Sequence, residues 1–468
     1  MNYFVPLHPL MAKEEKKDLL SYIREGRTMT RQEELRLIVQ LSIPSILAQL
    51  SSIVMFFIDA SMVGHLGEKQ SAAIGLVETT TWLFGGLTSA ASLGFSVQVA
   101  HYIGANDFNK ARRVLRQAFV CCTAWSLLLL ACAIIVHSRL PFWLGGGADI
   151  ARDASLYFLV FACAVPFFQL EGLCGSMLKC AGNMKVPSAL NIAMCIMDVC
   201  LNYLFIFILN MGVLGAALGT FFAILITSLL MAWFLIFRSK ELSLRGSNGS
   251  FRPKSDTVLT AIKIGAPMGF QQLLMGGAQI ISTIIVAPLG NIAIAANSFA
   301  ITVESLCYMP GYGIAEAATT LVGQGIGAGQ KVLTRSFAYL SVALGIGVMT
   351  MMGILMFIFA PELMTLMSPV EGIIREGSQA LRIEAFAEPM FAAAIVCNGV
   401  FIGAGDTLKP AMMNLFSMWA VRLTLAASLA PKYGLKGVWI AMAIELTFRG
   451  IIFLTRLFRG NWQKTLNS

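Results

Sequence analysis

Two aspartates and an asparagine stand inside apolar stretches where a charge is costly. Asp59 follows the run IVMFFI, 15 residues after Pro44, and Asp198 and Asn202 lie four residues apart in a later apolar stretch. An ionisable group at a bilayer centre costs roughly 2.5–3.5 kcal/mol even on the lenient insertion scale, so it normally faces a cavity or a partner. Carboxylates in that setting can take up a proton or a sodium ion and release it again. Asn191, Cys195, Asp198 and Asn202 fall at i, i+4, i+7 and i+11, which puts all four on one helical face. Such a stripe also suits an interhelical hydrogen-bond seam, worth under about 1 kcal/mol per bond. A carboxylate is a poor choice for that purpose, which favours exchange chemistry over a seam.

The elements that must position these residues are membrane spans. The chain is 57% hydrophobic and 13% charged, with a mean hydropathy of +0.74, well away from the roughly 25% charged usage of soluble domains. Each crossing needs about 20 apolar residues. Twelve such stretches are present, at about 40–64, 72–97, 116–137, 155–178, 188–208, 216–237, 258–286, 294–318, 337–359, 379–402, 411–429 and 438–457. They are organised as a duplication. Pro44 and Pro267, Leu66-Gly67 and Leu289-Gly290, Gly104-Ala105 and Gly327-Ala328, Pro166 and Pro389, Ala181-Gly182 and Ala404-Gly405, and Asn191 and Asn414 are all separated by 223 residues. A repeat of that length outranks any local signal. Six spans per repeat keep the two halves in one orientation, related by a pseudo-two-fold axis along the membrane normal. The expected fold is therefore an all-α integral membrane protein of two six-helix bundles: a first lobe over 40–237, a linker over 238–256 and a second lobe over 257–457. Two facing bundles leave a cavity between them, and rocking one against the other alternates access to it.

Basic loops remain cytoplasmic. With both termini inside, inner segments hold 24 Lys and Arg against seven outside. This places the segments 1–39 and 458–468 in the cytoplasm, and the lipid surface accounts for the net charge of +9 without nucleic acid. No apolar h-region opens the chain, and Lys16 to Arg36 reads as a polar helix lying at the cytoplasmic surface. The ten cysteines sit in or beside the spans with no CxxC pair and no Cys/His cluster, as small hydrophobes rather than a metal or disulfide framework.

Pro44, Pro166, Pro267, Pro310 and Pro389 lie in or near apolar helices, where each removes a backbone bond and bends the axis. Fixed kinks are the plainer reading of any one of them, and the repeated pair Pro44 and Pro267 is the better hinge candidate. Gly215/Gly219 and Gly323/Gly327 make GxxxG spacings that permit close helix contact.

Three stretches resemble the MATE (multidrug and toxic compound extrusion) family: LSIPSILAQLSSIVMFFIDASMVGHLG from Leu41 to Gly67, the loop GANDFNKARR, and the turns CAGNMKVP and AGDTLKP carried once in each half. The resemblance spans about residues 35–460 and implies an antiporter of the bacterial inner membrane. Such a protein exports amphipathic organic cations in exchange for protons or sodium ions, works as a monomer in lipid, and uses no cofactor. It also implies a cation site built from Asp59, Asp198, Asn202 and Thr220. Family members commonly carry Asn first and Asp or Asn second at the helix 5 pair, so this chain moves the acid one turn.

Adding 223 to Asp59, Asp198 and Asn202 gives Ser282, Val421 and Leu425, so the second half lacks the constellation and coupling should be asymmetric. The second half has intramembrane charges of its own: Glu304, Glu316, Glu384, Glu388, Arg422, Glu445 and Arg449. Glu445 and Arg449, four apart, suit an ion pair within one helix that Arg422 could join, and Glu384 is expected to be solvated near the outer surface. Candidates for the substrate cavity are Gln49, Met55, Glu78, Glu171, Asn191, Gln271, Glu304 and Glu388. Each glutamate among them could equally be an interface residue or one neutralised by burial. His65 and His101, at span ends, read as interface residues. The main rival is a lipid-linked oligosaccharide flippase, which would call for a more cationic cavity. A channel lacks a filter-like loop here, and no nucleophile, base and orienter set points to an enzyme.

Overall fold

In hydrocarbon every backbone N–H and C=O must be satisfied within its own segment, and an apolar chain can do so only as helices or a closed barrel. The computed structural model describes residues 19–246 and 249–464, and these are helical almost throughout. In chain order the helices are α1 Leu19–Glu25, α2 Arg31–Gly64, α3 Glu68–Gly104, α4 Phe108–Val136, α5 Leu140–Trp143, α6 Ala148–Cys180, α7 Lys185–Tyr203 and α8 Gly212–Trp233. The second half contributes α9 Ser255–Val286, α10 Asn291–Gly327, α11 Lys331–Met367, α12 Glu371–Ala385, α13 Glu388–Gly403, α14 Leu408–Phe416, α15 Thr424–Tyr433 and α16 Leu435–Arg459. Among the described residues eleven helices are long and apolar enough to cross a membrane, and the bent pair of α12 with α13, counted as one span, brings the number to twelve.

The duplication is exact in places. α3 and α10 are both 37 residues long and begin and end 223 residues apart. Each is opened by a glycine with positive φ, Gly67 at 118° and Gly290 at 98°, a backbone state that a side chain would strain. α4 ends at Val136, and its repeat position Phe359 is where α11 leaves helical geometry. The halves part company at Pro166 and Pro389. α6 runs unbroken through Pro166, whereas the matching stretch breaks at Phe386 and Ala387 into α12 and α13, bent by 61°, with Pro389 in the first turn of α13. The single straight span expected over 379–402 therefore straddles the break, taking in the last turns of α12 and nearly all of α13. Both prolines lack the same N–H, so proline alone does not explain the break.

The N-terminal segment also differs from expectation. Residues 1–18 lie outside the described residues. The rest is no surface helix: Leu19 and Ile23 of α1 pack with Leu37 and Ile38 of α2, Leu321 of α10 and Phe337 of α11. Arg31 to Arg36 belong to the first turns of α2, which begins on a capping box between Thr30 and Glu33.

The halves meet at the end that carries the lobe linker, and they meet reciprocally. His101 Nε2 on α3 lies 2.7 Å from the Gly403 carbonyl, and Gln324 Nε2 on α10 donates to the Cys180 carbonyl at 2.8 Å. Both ends of these two contacts are related by the 223-residue offset. The same holds for the glycines beneath them: a Cβ on Gly104 would strike the Gln324 carbonyl, and one on Gly327 would strike the His101 carbonyl. Small residues are what let the two backbones approach this closely. Nearby, Lys179 of α6 pairs with Glu316 of α10 at 2.9 Å. Glu316 also accepts from Gln49 at 3.2 Å and from Ser45, both on α2. Gln98 bonds the Thr257 carbonyl, and Thr320 the Lys179 carbonyl. All these interlobe bonds fall in the half of the molecule toward the linker.

Candidate functional site

α2 brings Asp59 and α7 brings Asp198 and Asn202 to one point in the first half. Asn202 Nδ2 donates to Asp59 Oδ1 at 3.1 Å and to Asp198 Oδ2 at 3.2 Å. Asp198 and Asn202 are 1% and 3% exposed, and Asp59 is half-buried. Asp59 and Thr220, on α8, lie beside Asp198. The approach of α8 depends on Gly219, since a Cβ there would collide with Asn202 Oδ1. Immediately beyond Tyr203 the α7 backbone widens into a π-turn over Leu204–Ile208, a distortion that recurs beside functional groups.

Two acceptor oxygens at this point, Asp198 Oδ1 and Asn202 Oδ1, are buried without a hydrogen-bond partner among the described residues. Among the described residues no Lys or Arg pairs with either aspartate. Two neighbouring carboxylates repel unless a proton or a cation lies between them, and an unpaired buried acceptor costs about 1–3 kcal/mol. The cluster thus has the donor set of a site for a proton or a small hard cation: two carboxylates, an amide oxygen and a hydroxyl. Further along the α7 stripe, Cys195 is buried close to Ser52 of α2, so part of that stripe lies between helices. Tyr157 of α6 lies within electrostatic range of Glu78, Asp198 and Asp59. The sequence offered no signal for it, because an isolated tyrosine in a span is ordinary. A shallow recess of ≈ 390 Å³ lies between α2 and the end of α7, lined by residues including Phe57, Ile58, Tyr203 and Phe207, and none of the four cluster residues lines it.

The remaining cavity candidates are dispersed. Gln49 belongs to the Glu316 group at the lobe junction, and Glu171 lies in electrostatic range of Lys179 and Glu316 there. Asn191 leaves its Oδ1 unpartnered, while its repeat Asn414 donates to Gln271 at 3.4 Å. Met55 and Glu78 are half-buried in the first half. Glu304 and Glu388 are 5% and 0% exposed, packed inside the second half rather than facing an open cleft. Glu384, expected in solvent, is 0% exposed. The α12–α13 break turns it inward, to lie in electrostatic range of Glu304, Glu388 and Arg422. Glu445 does pair with Arg449 at 2.6 Å, with Arg422 at 4.0 Å, and it accepts from Ser417 at 2.5 Å. Pro44 and Pro267 sit within continuous helices.

A duplicated bundle of twelve crossings, with a carboxylate pair inside one lobe and the lobes joined at one end, defines a membrane transporter of two facing halves. The MatE family profile matches residues 44–204 and 267–427, once in each half, and the chain belongs to that family. The probable multidrug resistance protein NorM of Thermotoga maritima is 25% identical over 91% of this chain and 93% of its own length. Among solved structures, a MATE transporter in complex with MaL6 superposes with a TM-score of 0.89 at 20% identity, covering 96% of this chain and 99% of that one. The Vibrio cholerae MATE transporter VcmN gives 0.87 at 18% identity, covering 92% and 99%. At these identities the superpositions speak for the fold.

Proposed function

We propose that this protein is a secondary active multidrug efflux antiporter, exporting amphipathic organic cations in exchange for protons or sodium ions. The observation that carries the reading is the Asp59–Asn202–Asp198 group, which among the described residues has orphaned buried acceptor oxygens and no cationic side chain paired with it. An ion from outside would supply the missing positive charge. Its arrival would remove the repulsion between the carboxylates and draw α2, α7 and α8 together, narrowing the space available to a drug cation in the same lobe. The lobes then rock about the junction of α3 with α10, with the linker end cytoplasmic and bending of α2 centred on Pro44. One charge crossing 100 mV is worth about 2.3 kcal/mol, enough to drive the exchange before any concentration gradient is added. The reading is consistent with the relatives described as multidrug resistance proteins.

The test is dye efflux from cells expressing the wild type, Asp59→Asn or Asp198→Asn, driven by a proton gradient or a sodium gradient alone. Loss of efflux in variants that still insert supports the assignment, and the gradient that sustains wild-type efflux names the ion. Undiminished efflux by Asp59→Asn refutes it.

A further inference from the structure

A second cavity lies far from the carboxylate group, at the linker end. It is a recess of ≈ 620 Å³ between the first turns of α4 and linker residues 249–254. Its walls include Arg112, Arg113, Arg116, Arg252 and Lys254, and none of its lining residues is acidic. Two carboxylates nearby are already engaged, Glu241 with Arg24 at 3.3 Å and Asp107 with Lys110 at 3.0 Å. The recess is also built rather than incidental. Arg116 is 4% exposed and packs against Gly249. Gln117 holds the strand of linker in place by accepting from the Lys254 amide at 3.1 Å, and Arg112 is steered by its bond to the Glu241 carbonyl.

Arg112, Arg113, Arg252 and Lys254 bring four positive charges to one hollow, where an anion would offset their mutual repulsion, and guanidinium groups match the geometry of phosphate oxygens in particular. Beside the recess Phe251 is 52% exposed on the linker, and α4 continues directly into the apolar crossing that begins near Ala118. A phosphate bound there would carry acyl chains along an exposed apolar face. We propose that this recess binds the phosphate of an anionic phospholipid, taken from the leaflet at the linker end, and so clamps the linker to the first half. The site stands apart from the antiport reading, and its failure would leave that reading untouched.

Native mass spectrometry of the full-length protein, titrated with dioleoylphosphatidylglycerol or dioleoylphosphatidylcholine, tests it. The wild type should prefer the anionic lipid, and Arg252→Gln/Lys254→Gln, which changes two exposed residues, should lower that affinity roughly tenfold. Arg375→Gln/Lys436→Gln, which removes two exposed charges elsewhere, should leave the affinity unchanged. Equal binding of the two lipids by the wild type, or equal loss in both double variants, overturns the proposal. Thermal stabilisation by inorganic phosphate that the Arg252/Lys254 variant abolishes, with no preference among lipids, would instead assign the recess to a soluble anion and overturn it as well.

Discussion

The two halves share a backbone and treat the buried charge around one pair of equivalent positions in opposite ways. In the first, Asp59 and Asp198 are held together by one asparagine and have no basic partner among the described residues. In the second, the residue beside the position equivalent to Asp198 is Arg422, and the charge it faces, Glu445, is already met by Arg449 and by a hydroxyl. A buried acid with a resident counter-ion is a fixed structural element, because removing either partner strands the other. One without such a partner can accept a charge from outside and give it back. Duplication supplied the scaffold twice, and at these positions divergence left one copy with acids that have no basic partner among the described residues and the other with an acid paired to arginine. Elsewhere in the second half, Glu384 and Glu388 also leave their carboxylate oxygens unpartnered among the described residues.

This contrast is most easily broken by neutralising one acid in each half. Asp59→Asn should reduce gradient-driven dye efflux at least tenfold while thermal unfolding in detergent stays close to wild type, since an amide can keep the bond network. Glu445→Gln should do the reverse in kind, stranding Arg449 and costing about 3 kcal/mol or more of stability, read as a large fall in the unfolding temperature. Matching responses from both variants would erase the proposed division of labour. A smaller effect sharpens the symmetric part of the comparison. Gly104→Ala and Gly327→Ala each push a methyl group into a carbonyl of the other half, and each should cost about 1–3 kcal/mol by similar amounts, measured by thermal unfolding. Unequal losses would mean that the junction is less reciprocal than its geometry.

The smallest effect concerns a feature found only in the first half. Asp107 caps α4 by accepting from the Lys110 amide at 3.0 Å, a bond that holds its carboxyl below the usual carboxylate range; the repeat position is Gln330. A depressed folded value means that the stabilisation is present above the unfolded carboxylate range and disappears as pH falls through the folded value. Asp107→Ala should therefore cost about 1 kcal/mol near neutrality and nothing in strong acid, followed by unfolding against pH.

The crossings and the duplication were legible because both rest on signals that run the length of the chain. A hydrophobic stretch identifies a helix whatever it packs against, and a constant offset survives scattered substitutions. The meeting of Asp198 with Asn202 was legible from four-residue spacing, and that of Glu445 with Arg449 likewise. Contacts between elements distant in sequence were not. Lys179 and Glu316 are separated by 137 residues, and neither flanks a motif that points to the other. Glu384 was misplaced for a related reason. Its depth depends on the bend between α12 and α13, and the first half carries a proline at the same register with no bend. Local sequence could not distinguish the two outcomes.

The clasps that join the halves, His101 to Gly403 and Gln324 to Cys180, both land on main-chain carbonyls. A carbonyl is present whatever residue occupies the position, so neither receiving helix has to evolve in step with the helix that reaches it. Two copies of a gene could thus drift apart over most of their length, one donor becoming imidazole and the other amide, without losing the ability to shut against each other.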